Sequence, residues 1–261
     1  MLLSPTLEKL RQMKLTGMAE GLEEQQKMKS YHGLIFEERL GHLVDKEKEL
    51  REGKKLTSRL ARAKLKQQAC IEDINYAHAR GLDRALIRKL STCSWIKEHH
   101  NLLITGLTGV GKSYIACALA HKACLDGYTS LYLRAPRLFT DLETAKAEGR
   151  YQRVLQSMAK VDLLIIDDWG LSSLNTREER ELLEVMEDRY ELKSTIFASQ
   201  VPVRDWHALI PNKTIADAIL DRVVHNSYRI ELDGDSLRKE KNKTTARAKK
   251  DEKDGEENGQ G

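Results

Sequence analysis

The sequence predicts an α/β chain, with a parallel-sheet core preceded by an all-helical N-terminal domain and followed by a disordered C-terminal tail. From Asn101 onward, short apolar runs alternate with helical stretches, the rhythm of a parallel sheet built from βαβ units. Before about residue 66 no run reads as a strand, and apolar positions recur at helical spacing, as in Leu3, Leu7 and Leu10 and again in Phe36, Leu40, Leu43 and Leu50. After residue 235 almost no large apolar side chain remains, so the segment cannot bury enough surface to offset the entropy of ordering. The expected boundaries are therefore 1–66, 67–235 and 236–261.

In the N-terminal domain, Ser4-Pro5 supplies a cap and a first-turn proline for the first helix, and Gly33 punctuates the approach to the next. Between Lys46 and Lys66, basic residues far outnumber Glu47, Glu49 and Glu52, which makes one face of a helix strongly cationic. In the core, strands are expected at 102–105, 130–133, 163–166, 195–198 and 228–232. A helix from Lys112 to about Asp126 ends at Gly127, a residue suited to the left-handed conformation past a helix end. Thr176 followed by Glu179 has the spacing of a capping box for a helix running to about Tyr190.

Bulk properties narrow the function classes. A chain of 261 residues holds one α/β domain with a smaller appendage. The net charge of +4, from 44 basic and 40 acidic residues, gives a weak overall field, so nucleic-acid contact must come from local clusters. Cys70, Cys93, Cys117 and Cys124 form no CxxC pair, which argues against a disulfide framework or zinc site and fits a reducing cytoplasm. The longest apolar runs, such as 163–166, fall far short of the ~20 residues of a membrane span, and no membrane association is expected.

Four elements carry chemistry. Gly106-Leu107-Thr108-Gly109-Val110-Gly111-Lys112-Ser113 matches GxxxxGK[ST] between a predicted strand and a predicted helix. Its glycines let successive backbone N–H groups converge on phosphates. Lys112 would reach the β and γ oxygens of ATP and Ser113 would ligate Mg²⁺. The apolar strand that ends in Asp167-Asp168 is the second element. Asp167 would hold Mg²⁺ through water and Asp168 would polarise the attacking water. Third, Ser199-Gln200 follows the fourth strand and would emerge beside the γ-phosphate if that strand neighbours the one ending in Asp167; a turn before Pro202 is the competing reading. Fourth, Arg222 closes Ala218-Ile219-Leu220-Asp221-Arg222 and would reach the nucleotide of a neighbouring subunit, with an Arg paired within its own chain as the alternative. Arg238 is placed to contact nucleotide but also begins the charged tail.

With these elements in order, the chain resembles the IstB family, ATP-binding helper proteins of an insertion-sequence group related to the DnaC helicase loaders and to DnaA within AAA+. The resemblance runs from Phe36-Glu37-Glu38-Arg39-Leu40 to Arg229-Ile230-Glu231-Leu232. Its most particular runs are Asp167-Asp168-Trp169-Gly170-Leu171, Ser199-Gln200-Val201-Pro202-Val203 and Ala216-Asp217-Ala218-Ile219-Leu220-Asp221-Arg222. Many AAA+ proteins carry Glu at the position of Asp168 and Asn at that of Gln200, so these are departures from the common pattern. The resemblance implies an AAA+ ATPase using ATP and Mg²⁺, assembling as a homo-oligomer on double-stranded DNA and working with a DDE transposase encoded by the same element. A DnaC-like helicase loader is the alternative; only 5% of the chain is aromatic, which disfavours the base stacking that single strands require.

Lys54, Lys55, Arg59, Arg62 and Lys66 are the expected phosphate contacts on DNA, with Arg134 and Arg137 as further candidates lining a channel. A solvated, charged helix face is the competing reading. His99-His100 lacks metal-site spacing, and Trp169 reads as a packing residue.

Overall fold

The computed structural model describes residues 3–31, 33–76, 80–234 and 236. Residues 237–261, most of the tail expected to be disordered, lie outside the described residues, and Arg238 with them. The chain divides into two compact units, Met1–Ala61 and the remainder from Arg62.

In the first unit, helices α1 (Leu3–Gln12), α2 (Thr16–Lys27) and α3 (Phe36–Ala63) follow one another. The break after α1, at Lys14 with φ +59°, is not signalled by a glycine or proline. No side chain of its own caps the start of α2. Glu47 of α3 does so instead, its carboxylate accepting the N–H groups of Gly17 (2.7 Å) and Met18 (3.2 Å). A Cβ on Gly17 would lie 2.6 Å from Glu47 Cα, so only glycine lets the two helices approach this closely.

In the second unit every apolar run expected to be a strand is one. These are β1 (Asn101–Gly106), β2 (Ser130–Arg134), β3 (Leu163–Trp169), β4 (Ser194–Ser199) and β5 (Ser227–Leu232). All pairs are parallel, in the order β2-β3-β4-β1-β5. Strand alternation divides the core between the two faces of the sheet. Leu102, Ile104, Ile165 and Ile196 pack with Ile115 and Leu119 of α6 (Lys112–Leu125). Leu103, Ile166 and Phe197 pack on the other side with α7 (Ala135–Ala147), α8 (Tyr151–Lys160), α9 (Thr176–Glu187) and α10 (Lys213–Val224). The short helices α4 (Arg84–Leu90) and α5 (Ser94–Lys97) lead into β1.

Gly127, at φ +98°, follows α6 as expected. The capping box of α9 lies one residue earlier than Thr176/Glu179. Asn175 accepts from Arg177 and Glu178, and Glu178 returns a bond from the Asn175 N–H. Both pairs have the right spacing, and the extended backbone at Asn175 selects it.

Cys93, Cys117 and Cys124 are buried while Cys70 is partly exposed. Burial pushes the Cys93 thiol up to about 12 and raises that of Cys117 as well. Iodoacetamide at about pH 8 should therefore modify Cys70 first in the folded protein and all four thiols after denaturation, as read by mass spectrometry. Rapid modification of Cys93 without unfolding would contradict this packing.

Candidate nucleotide site

The carboxyl ends of β1, β3 and β4 lie together at one edge of the parallel sheet, where α/β sheets bind ligands in a crevice. β1 ends in Gly106, whose φ is +146° and whose hypothetical Cβ would lie 2.2 Å from the Leu232 carbonyl of β5. Gly109 (φ +89°) and Gly111 (φ +102°) complete the turn into α6, with Gly111 as the residue that starts the helix. The loop thus aims the first N–H groups of a 14-residue helix at the crevice. Leu107 and Thr108 are exposed and Val110 is buried. Lys112 Nζ donates to the carbonyls of Gly106 (2.7 Å) and Leu107 (2.8 Å), bridging the turn.

Ser113 Oγ donates to Asp167 Oδ2 at 2.6 Å, joining the P-loop serine to the end of β3 across 54 residues. Tyr132 of β2 donates to the same oxygen, and Lys66 Nζ lies 3.3 Å from it. Asp167 is 1% exposed. Burial works to raise its pKa, but the bonds from Ser113 and Tyr132 and the charge of Lys66 outweigh it, so the carboxyl is held below the usual range and is ionised. An ionised carboxylate beside a hydroxyl is a hard oxygen donor set that fits Mg²⁺. Among the described residues no cluster of three or more His, Cys, Asp or Glu could cage a metal.

Asp168 sits in the left-handed region at φ +59°, at a register shift between β3 and β4. Asp tolerates this conformation better than most residues. Arg134 Nε, from the end of β2, donates to Asp168 Oδ2 at 2.6 Å. β4 does neighbour β3, and Ser199 Oγ donates to the Trp169 carbonyl (2.7 Å). Gln200 follows and accepts from Thr108 Oγ1 at 2.6 Å, which brings it over the P-loop. Trp169 packs with Phe197 and Trp206 at ring separations of 5.7 and 5.9 Å, as a core residue.

Several basic side chains lie elsewhere than expected. Lys66 turns toward the buried Asp167 carboxylate and Arg134 pairs with Asp168, so neither presents a free cation to DNA or to a channel. Attraction to carboxylates at the site accounts for both. Arg137 pairs with Asp141 (2.8 Å) on the exposed face of α7. Arg222 folds back on its own chain, donating to Ala218 O (2.7 Å) and Glu187 (3.1 Å), the intrachain alternative recognised in the sequence. Lys54, Lys55 and Arg62 are exposed along α3, and Arg59 is half-buried.

Sequence reasoning missed Arg80. It is 4% exposed and donates to the carbonyls of Val110 (2.9 Å) and Asn75 (2.8 Å), bracing the P-loop from behind. Nothing in its local sequence distinguishes it from a surface arginine.

The sequence profile described as "IstB-like ATP binding protein" matches residues 8–246. An insertion-sequence ATP-binding protein of Sinorhizobium fredii is 52% identical over 239 residues, covering 92% of this chain and 98% of that protein. Among solved structures, DnaI aligns with a TM-score of 0.56 at 22% identity, over 63% of this chain and 91% of that one. The DnaC helicase loader aligns with a TM-score of 0.53 at 22% identity, over 62% and 97%. These structural likenesses show a shared fold, and the sequence match goes further: the chain belongs to the IstB-like ATP binding protein family.

Proposed function

We propose that this protein is an insertion-sequence ATPase that assembles as a homo-oligomer on double-stranded DNA and regulates a DDE transposase encoded by the same element. The observation that carries the ATPase reading is the Ser113–Asp167 hydrogen bond of 2.6 Å, which joins the two residues suited to hold Mg²⁺ at the mouth of the P-loop. The P-loop from Gly106 to Ser113 binds the phosphates, with Lys112 leaving the Gly106 and Leu107 carbonyls for the β and γ oxygens. Asp168 orients the attacking water, and Gln200, already beside Thr108, monitors the γ-phosphate. The kinship with insertion-sequence proteins, at 52% identity over nearly the whole chain, supports the transposition role.

In this reading the N-terminal helical unit is the DNA-binding or partner-binding domain. Lys54, Lys55, Arg59 and Arg62 on α3 give salt-sensitive contacts to phosphates without reading sequence. Arg222 acts on a neighbour's nucleotide only after releasing Glu187, so hydrolysis depends on assembly. Among the described residues no helix is long and apolar enough to cross a membrane.

The test is ATP hydrolysis and sedimentation with duplex or single-stranded DNA, in wild type and in Lys112→Ala and Arg222→Ala. Duplex DNA with ATP should yield large assemblies and stimulate hydrolysis. Lys112→Ala should lose both effects, and Arg222→Ala should lose stimulated hydrolysis while still binding nucleotide. Response to single strands alone would favour a helicase loader, and a silent Arg222→Ala would remove the role in a neighbour's site.

A further inference from the structure

Lys66, the last basic residue of the cationic segment 46–66, brings its ammonium to the Ser113–Asp167 pair. It follows the end of α3 by three residues, past Lys64 in the left-handed conformation at φ +50°. Its position is not that of a loosely tethered surface lysine. The backbone of Lys66 and Gln67 lies within hydrogen-bonding reach of the buried Cys117 thiol, and Cys117 stands one turn along α6 from Ser113. The neighbouring Leu65 packs against the apolar core on the α6 side of the sheet. The segment is therefore fixed to the P-loop helix, and Lys66 Nζ projects to 3.3 Å from Asp167 Oδ2, the oxygen that also accepts from Ser113 and Tyr132.

The two carboxylates of the site are each matched to one cation, Asp167 to Lys66 and Asp168 to Arg134. The Asp167 pairing differs in kind, because Asp167 and Ser113 are the residues suited to hold Mg²⁺. A monovalent ammonium on that oxygen and a divalent cation beside it repel one another at short range in a partly desolvated crevice. Lys66 is about a third exposed, at 36%, and its long side chain has room to swing away.

We propose that Lys66 is the resident counter-charge of Asp167 and competes with the divalent cation for that carboxylate, setting the Mg²⁺ concentration at which the site takes up Mg²⁺ together with ATP. This rests on the reading of Ser113 and Asp167 as the Mg²⁺-binding pair. Lys66 balances the charge of Asp167 and holds it in place, then yields it when the divalent cation is taken up. In this role Lys66 is a positioning residue; it makes no bond to the nucleotide.

The test is a Mg²⁺ titration of the full chain with a fluorescent N-methylanthraniloyl ATP analogue, comparing wild type with Lys66→Met, Lys66→Arg and the neighbouring exposed-site control Lys64→Met. Removing the competing charge should lower the Mg²⁺ midpoint of Lys66→Met by about three- to tenfold, the range expected for a half-buried ion pair. Lys66→Arg and Lys64→Met should keep the wild-type midpoint, and the nucleotide affinity of Lys66→Met at saturating Mg²⁺ should be unchanged. An unmoved midpoint in Lys66→Met overturns the proposal. So does a loss of affinity at saturating Mg²⁺, which would make Lys66 a phosphate ligand instead. A lowered melting temperature with an unmoved midpoint would leave it only a structural role and overturns it too. If wild type itself binds the analogue without any Mg²⁺ dependence, the Mg²⁺-site reading fails with it; if wild type titrates and only the Lys66→Met shift is missing, that reading survives.

Discussion

Asp168→Asn should lower ATP hydrolysis by about 10²- to 10⁴-fold, the range for loss of a group that takes or orients a proton in the transition state, and leave Mg²⁺–ATP binding close to wild type. The two adjacent aspartates have different surroundings that assign them different tasks. Asp167 is 1% exposed and held by Ser113, Tyr132 and Lys66, which suits the ligand role proposed for it. Asp168 is partly exposed at the end of β3, and its ion pair to Arg134 through Oδ2 leaves a carboxylate able to accept further hydrogen bonds. Asparagine also tolerates the left-handed backbone that Asp168 adopts at φ +59°, so the substitution tests charge without straining the chain. Single-turnover hydrolysis together with an independent binding measurement separates the two effects. A rate within tenfold of wild type would mean that water is activated by another group, with Gln200, which contacts Thr108 of the P-loop, the next to test.

The sequence carried most of this site because its chemistry is written in local spacing. The P-loop requires glycines at fixed intervals, and those at 106, 109 and 111 all adopt positive φ, which few other residues tolerate. The β3 carboxylates follow an apolar run that cannot be anything but buried, and the placement of Gln200 needed only that β4 lie beside β3. The directions of long cationic side chains were not legible. Lys66 and Arg134 belong to runs that look the same whether they face solvent or a carboxylate 101 or 34 residues away. The capping of α2 by Glu47 likewise depends on a helix packing 30 residues later, so no signal at Leu15 or Thr16 announces it. Arg189 was missed in part for the same reason, since the Met158 and Val161 carbonyls that it binds lie 31 and 28 residues away.

Arg189→Met should destabilise the folded chain by about 3–5 kcal/mol, the cost of breaking a buried polar network by removing one partner. Arg189 is 1% exposed just beyond α9, at the amino-terminal edge of the sheet, opposite the nucleotide crevice. Its guanidinium donates to the carbonyls of Met158, Val161 (2.9 Å) and Ser194 and to Thr195 Oγ1 (3.0 Å), tying the end of α8 to the start of β4. Burial pulls its pKa down to about 9, so it remains charged at neutral pH and its bonds to the carbonyls are charge-assisted. Methionine has a similar length and apolar character but no donor, leaving three buried carbonyls and a hydroxyl to find partners. For a domain of roughly 200 residues each kcal/mol lowers the melting temperature by about 2–4 °C, so a fall on the order of 10 °C is expected by thermal denaturation. Lysine can reach one or two of the same carbonyls as a point charge, so Arg189→Lys should lose less. If Arg189→Met melts within about 2 °C of wild type, water must enter and satisfy the orphaned carbonyls, and the edge of the sheet is less tightly closed than its packing implies. Because this arginine lies away from the P-loop, the ATPase rate per folded molecule should not change at temperatures where the variant remains folded. That separates a structural arginine from Arg222 and Arg134, which the proposed function places in assembly-dependent hydrolysis and beside Asp168.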